Sequence, residues 1–438
     1  MTTRKPSEAR IRTRMARTGE SYATARAGLS GARTSPKPAT DAGWALRGGL
    51  HAETSNVTNM LTHLGADNTE AHLSEAMLLG VGGGLGAGYM LWEIKGQTPN
   101  LFLGFRYRWT FHDWAERTMD RLGVGYQVKT TGSSKAAATT LHEQLTDGNP
   151  VLIAPDRQLV GYWHLPAEPA LAGRGRPVFS GARRSPLVAY AVTDDGIRVD
   201  DRNLAPLTVD GDTLAEARAR VSSTKNRMIV VHTVPETFAL ADAVRAGIAD
   251  CVAHLDAKAA TVALPAWSKW SRLVTDQRNA KGWPKLYGKA GMATTLLSVW
   301  EHVEPAGLTG GNLRDLYADF LDEAAPLLGD SADAAADAAQ LFRQSARLWH
   351  DIAETALPWD VPEYARLREL VTTISAGVAA GDPAVAERTE AAETLWDLIG
   401  EYDRKPPAEP DLARLSEQIQ AVYDTEREAV GALRHVVG

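Results

Sequence analysis

After Pro235 the chain carries no strand signal, and this change of pattern divides what it can fold into. Eight later stretches space apolar residues by three and four, as amphipathic helices do: residues 237–255, 267–279, 293–303, 312–328, 332–357, 362–380, 384–402 and 411–436. No fixed-period repeat links them. The earlier half mixes both patterns. Helices are expected at 53–63, 73–79, 109–122, 135–146 and 213–221, and strands at 101–108, 126–131, 151–154, 187–192, 197–200 and 227–233. Thr193-Asp194-Asp195-Gly196 joins two of those strands as a hairpin turn would. The expected fold class is α+β, with a mainly antiparallel sheet over residues 41–234 and an all-α domain over 235–438.

The 438 residues suffice for two or three cores. No apolar run reaches the roughly 18 residues needed to span a bilayer, so no membrane partner is expected. The N-terminus is basic and lacks the apolar segment of a secretory signal. A single cysteine, Cys251, excludes an internal disulfide and a multi-cysteine metal site. A cytoplasmic protein is expected. The net charge of −7 hides an asymmetry: residues 1–40 hold nine Lys/Arg against Glu8 and Glu20. This basic arm precedes an acidic body and reads as a partly disordered, solvated tail. Ser35-Pro36-Lys37-Pro38 reads as its linker.

The most distinctive stretch covers residues 48–93. A loop leads into a helix, a turn at Gly65 and a second helix follow, and five of the seven residues 82–88 are glycine. HAETSNV followed by LSEAMLLGVGGGLGAGY resembles the N-terminal domain of butirosin-biosynthesis protein H, a family similar to papain-like cysteine peptidases and acyltransferases. WSRLVTDQRNAKGWPKLY followed by GGNLRDLYADFLDEAA resembles the helical domain that often accompanies it, so the resemblance covers about residues 45–438. It implies a papain-like domain followed by an all-α domain. It also implies an acyl group passed from a carrier protein to a cysteine and then to an amine.

The resemblance places that cysteine at position 52, where this chain has Ala52. A thiolate belongs there because the helix dipole and the free N–H groups of a helix start stabilise it. The histidine position corresponds to Ser185, in Gly181-Ala182-Arg183-Arg184-Ser185-Pro186. The aspartate survives: Val199-Asp200-Asp201-Arg202-Asn203 resembles the family's aspartate-bearing strand end, and Asp201 is the candidate. An aspartate with no imidazole to orient moves no proton.

Other groups stand close in sequence. His51, Glu53 and Thr54 surround the helix start and are candidates for a different catalysis, although Thr54 or Ser55 is equally the type of residue that caps a helix. Asp156, Tyr162 and His164 form a second polar-aromatic cluster in APDRQLVGYWHLP, and His164 is a further catalytic candidate. Gly82, Gly83 and Gly84 are expected either as a structural turn on the first helix or as backbone contacts to a bound acyl or peptidyl group. With Ala52, Asp156, Tyr162 and Ser185 they make up the expected cleft. The loop follows a helix and lacks the lysine of a phosphate-binding loop, so no nucleotide cofactor is expected. The 11 histidines show no metal-ligand spacing, and no metal is expected. Cys251 and the tryptophans Trp267, Trp270 and Trp283 are read as packing residues.

Three functional expectations follow. The first is a catalytically degenerate member keeping a cleft for an acyl or peptidyl group or a carrier protein. The second is an active acyl- or aminoacyl-transferase with a small-molecule amine acceptor and a non-cysteine mechanism. The third is a nucleic-acid-associated protein acting through the arm, disfavoured by the acidic body. The long helix at 411–436 permits a homodimer without requiring one.

Overall fold

Short strands and the helices between them build the first half of the chain. The structure is a computed structural model describing residues 39–66, 73–93, 99–104, 111–157, 159–162, 186–220, 224–304 and 313–438. Strands β1 (Ala39–Asp41) and β2 (Trp44–Leu46) pair across Ala42 and Gly43, both with positive φ. Helix α1 (Ala52–His63) follows, then α2 (Glu75–Val81), begun at Ser74, whose hydroxyl accepts from the Met77 N–H. A second hairpin joins β3 (Tyr89–Trp92) and β4 (Asn100–Leu103).

Next come α3 (Phe111–Arg121), β5 (Gly125–Lys129), α4 (Ser134–Thr146) and β6 (Val151–Ile153). The hairpin of β7 (Leu187–Thr193) and β8 (Gly196–Asp200) turns at Asp194-Asp195, as its sequence indicates. The half closes with β9 (Thr208–Val209), α5 (Gly211–Arg220) and β10 (Met228–Thr233). Six strands form one antiparallel sheet in the order β5-β10-β6-β7-β8-β9. Its central member β6 and the first five residues of β7 are unbroken apolar runs because both of their faces are covered.

The second half is helical: α6 (Leu240–Leu255), α7 (Pro265–Thr275), the single turn α8 (Trp283–Leu286), α9 (Met292–Val303), α10 (Arg314–Leu328), α11 (Ala332–Ala356), α12 (Pro362–Ala379), α13 (Val385–Tyr402) and α14 (Leu412–Val437). Each long helix lies within a few residues of its expected span. One hydrophobic cluster runs through both halves and includes Trp267, Trp270 and Trp283. Helix α2 packs on α6 and α10, so the bundle rests directly against the helix that follows the candidate site.

The sequence reading missed β1, β2, β3, β9 and α8. Each is only two to four residues long, too short for a period to show. The strand expected at 101–108 ends at Leu103, and residues 105–110 lie outside the described set. Residues 1–38 of the basic arm likewise lie outside it, and Ala39 and Thr40 belong to β1.

Candidate functional site

Helix α1 begins at the level where β7 starts and β8 ends. Asn56 Nδ2 donates to the Pro186 carbonyl at 2.8 Å, and Asn59 Nδ2 donates to Asp200 Oδ2 at 3.1 Å. Trp44 Nε1 reaches the same oxygen from β2 at 2.9 Å. The helix start, the beginning of β7 and the end of β8 are thereby brought together. Ala52 is the first residue of the helix and is 3% exposed.

The expected capping is corrected. His51 is the cap residue, but its side chain makes no capping bond, and neither Thr54 nor Ser55 supplies one. The Ser55 hydroxyl donates back to the His51 carbonyl at 2.7 Å, while Thr54 Oγ1 donates to Glu75 Oε1 at 2.8 Å. Glu75, at the start of α2, also accepts the N–H groups of Leu50 at 2.9 Å and His51 at 2.8 Å. A carboxylate from the next helix therefore secures the approach to α1. Burial pushes its carboxyl above the usual range, against the pull of these hydrogen bonds. Thr54 is fully buried, and its hydroxyl donates to Glu75. His51 Nδ1 lies 3.4 Å from that hydroxyl; His51 and Glu53 are half-buried.

Asp201 follows β8 and is buried, with both carboxylate oxygens engaged. Oδ1 pairs with Arg157, and Oδ2 accepts from Tyr162 Oη at 2.9 Å. Arg157 also donates to the Pro186 carbonyl at 3.3 Å. Burial, then the Asp201 charge, raises the Tyr162 phenol well above its ordinary range. Arg202 turns with φ of 68° and donates to the Leu50 carbonyl at 2.9 Å, tying the aspartate loop to the start of α1. Tyr162 thus bonds directly to Asp201, and Asp156, like Tyr162, is buried. His164 and Ser185 lie outside the described residues.

The glycine loop is corrected as well. Its glycines pack against α3, α6 and α10. A Cβ at Gly82 would collide with Trp114, and one at Gly84 would sit 2.6 Å from Tyr317 and 2.9 Å from the Cys251 sulfur. Gly83 lies beside Asp250. This is a packing seam between the two halves. Cys251 is fully buried within it, and burial pushes its thiol up to about 11.

Arg157, which pairs with Asp201, and Glu75, which binds the residues leading into α1, were not selected from the sequence. Arg157 is the only basic residue between 151 and 164, the one signal that could have marked it. Two open grooves of about 450 and 480 Å³ flank α4. His142 lines both, with Glu143 and Asp212 in one and Trp44, His63 and Tyr190 in the other; neither includes Ala52. Among the described residues no cluster of His, Cys, Asp and Glu is arranged to hold a metal, and no helix is long and apolar enough to cross a membrane.

Asp200 makes the site sensitive to pH. Burial holds its carboxyl up to about 6 against an ordinary 3.8, although Trp44, Asn59 and the Arg202 N–H all donate to it. The sign follows from linkage. The folded state keeps a proton that the unfolded chain releases, so this group costs nothing below pH 3.8 and its full penalty applies above about 6. A displacement of that size corresponds to roughly 3 kcal/mol. The stability gap between wild type and Asp200→Asn, read from urea midpoints, should shift by that order between pH 4 and pH 7. An identical gap at both pH values would refute the assignment.

These features define a mixed α+β protein in which a helix start faces an aspartate-bearing strand end, followed by a helical bundle. The family model for butirosin biosynthesis protein H, N-terminal, matches residues 51–171, and one for a domain of unknown function, DUF4872, matches residues 212–376. The chain thus carries a butirosin biosynthesis protein H N-terminal domain followed by that second domain. A comparison with curated proteins finds no match.

Proposed function

We propose that this is a butirosin-H-like protein of specialised metabolism whose papain-like first half has lost the cysteine mechanism and instead receives an acyl- or peptidyl-carrier partner. The state of Asp201 carries the reading. The carboxylate that would orient a catalytic imidazole is paired with Arg157 and bonded to Tyr162, while the nucleophile position is a buried methyl. Three of the exposed large apolar side chains stand on the surrounding loops: Leu50 before α1, Leu204 after Asp201, and Leu159 in the turn between Arg157 and Tyr162. An apolar rim beside a helix N-terminus suits an acyl chain with a polar carbonyl head.

Transfer by another mechanism would recruit His51, Glu53, Thr54 or His164, and of these Thr54 donates its hydroxyl proton to Glu75. The nucleic-acid reading rests on the arm alone.

The test is mass spectrometry of the full chain incubated with an acylated carrier protein, under native and denaturing conditions. A complex under native conditions with no mass increment after denaturation is expected. A covalent increment would restore an acyltransferase reading. No association under either condition would remove the carrier partner.

A further inference from the structure

We infer that the helical half is a working part of the candidate site, and that Asp382 is a positioning residue for the loop carrying Asp201 and Arg202. Residues 201–207 connect β8 to β9, and β9 alone cannot hold them. It is two residues long and pairs through Ile197 with Val209 and Arg198 with Thr208, with one further bond from Val199 N to the Leu207 carbonyl at 2.9 Å. Inside the loop, Asn203 is the organiser. Its Oδ1 accepts the Asp201 N–H at 2.7 Å, and its Nδ2 donates to the Ala205 and Val199 carbonyls at 2.8 and 3.3 Å.

The outer face of the loop is held by the corner between α12 and α13, some 180 residues later. Leu204 N donates to the Ala379 carbonyl at 2.7 Å, and Asp382 N donates to the Pro206 carbonyl at 2.9 Å. The Asp382 carboxylate then accepts the Thr208 N–H at 3.0 Å and the Thr208 hydroxyl at 2.6 Å, and pairs with Arg198 at 3.2 Å. The approach is close enough to demand glycine at position 381. Its φ is +74°, and a Cβ there would run into the Pro206 carbonyl. Buried Arg388 braces the corner by donating to the Gly377 and Gly381 carbonyls.

The chain of contacts reaches the site in few steps. Asp382 holds Thr208, the loop is pinned at Leu204 and Pro206, and Arg202 within it grips the Leu50 carbonyl ahead of α1. The corner lies just beyond the matched domain of unknown function, which ends at residue 376. A bundle that sets the aspartate loop gives that half of the chain a task in the site. This inference stands apart from the carrier reading, because its test needs no ligand.

The test is peptide-resolved hydrogen exchange on full-length wild type, Asp382→Ala and Asp382→Asn. In Asp382→Ala, amides of residues 200–208 should exchange at least tenfold faster, and residues 48–53 should follow by a smaller factor. Helices α7, α10 and α14 should keep their wild-type rates. Asp382→Asn retains one acceptor oxygen and should fall between the two. Acceleration confined to 204–209, with 48–53 and 200–203 unchanged, would reduce Asp382 to a cap on an edge strand and overturn the inference. So would uniform loosening of the whole chain, or no change at all.

Discussion

Replacing Glu426 by alanine is expected to cause the largest loss of stability of any single change considered. Its carboxylate is fully buried and accepts five hydrogen bonds from three other helices. Oε1 takes Arg314 Nε at 2.8 Å, Ser345 Oγ at 2.7 Å and Trp349 Nε1 at 2.9 Å. Oε2 takes Arg314 Nη2 and Trp267 Nε1, both at 3.0 Å. Arg314 Nη2 continues to the Gly86 carbonyl at 3.0 Å, so the hub also secures the glycine loop of the first half.

Removing one partner of such a pair strands the other charge in the interior, at about 3–5 kcal/mol. Two indole N–H groups and a hydroxyl lose their acceptor as well. Against a total stability of about 5–15 kcal/mol, that loss separates a folded from a largely unfolded preparation. Urea unfolding followed by circular dichroism should show the midpoint collapse in Glu426→Ala, with Glu426→Gln intermediate. The half-exposed pair of Arg434 and Asp256 is the control, and Asp256→Ala should cost under about 1 kcal/mol. A Glu426→Ala midpoint as close to wild type as the control would refute the hub. The pH dependence has the opposite sign to that of Asp200. Arg314 and the other donors outweigh burial and hold the Glu426 carboxyl below its ordinary 4.5. Its contribution is therefore complete above pH 4.5 and is lost as the pH falls through the folded value.

Glu426 also shows where sequence reading stops. The helices were legible because a 3.6-residue period repeats many times in stretches as long as α11 and α14. The β7–β8 hairpin was legible because its turn residues are local. A hub is neither periodic nor local: Trp267 and Glu426 are 159 positions apart, and each resembles an ordinary helix residue in its own segment. At the candidate site the same rule holds over shorter spans. The resemblance pointed to Ala52 and Asp201. It did not point to Glu75, which serves the start of α1 from 24 residues away, or to Arg157, which pairs with an aspartate 44 residues later. Asp156 and Tyr162 flank Arg157 and were selected as cleft lining, yet all three are buried. Polar residue types suggest function by default, and only packing distinguishes a wall of a cleft from a plug in it.

The engagement of Asp201 makes the second large expected effect a requirement for three substitutions rather than two. Ala52→Cys with Ser185→His restores the residue types that the resemblance assigns to nucleophile and base. The thiol would sit at the first position of α1, where the helix start favours its anion. The new imidazole would still need an acceptor to fix its tautomer and orientation, and at Asp201 it would compete with Arg157 on one oxygen and Tyr162 on the other. The Arg157 guanidinium would also oppose the imidazolium that forms when the base accepts a proton. Adding Arg157→Gln frees one carboxylate oxygen and keeps a donor for the Pro186 carbonyl. Orientation of the base by its carboxylate is worth up to about 10⁴-fold in an intact triad, so a gain of roughly 10²-fold is expected from a rebuilt one. The readout is the rate of stoichiometric acylation by an acyl thioester of N-acetylcysteamine, followed by intact mass. Circular dichroism must accompany it, because Arg157 is itself half of a buried pair and its loss costs stability. The double variant should acylate slowly and the folded triple variant at least tenfold faster. Equal rates would mean that Arg157 does not block Asp201.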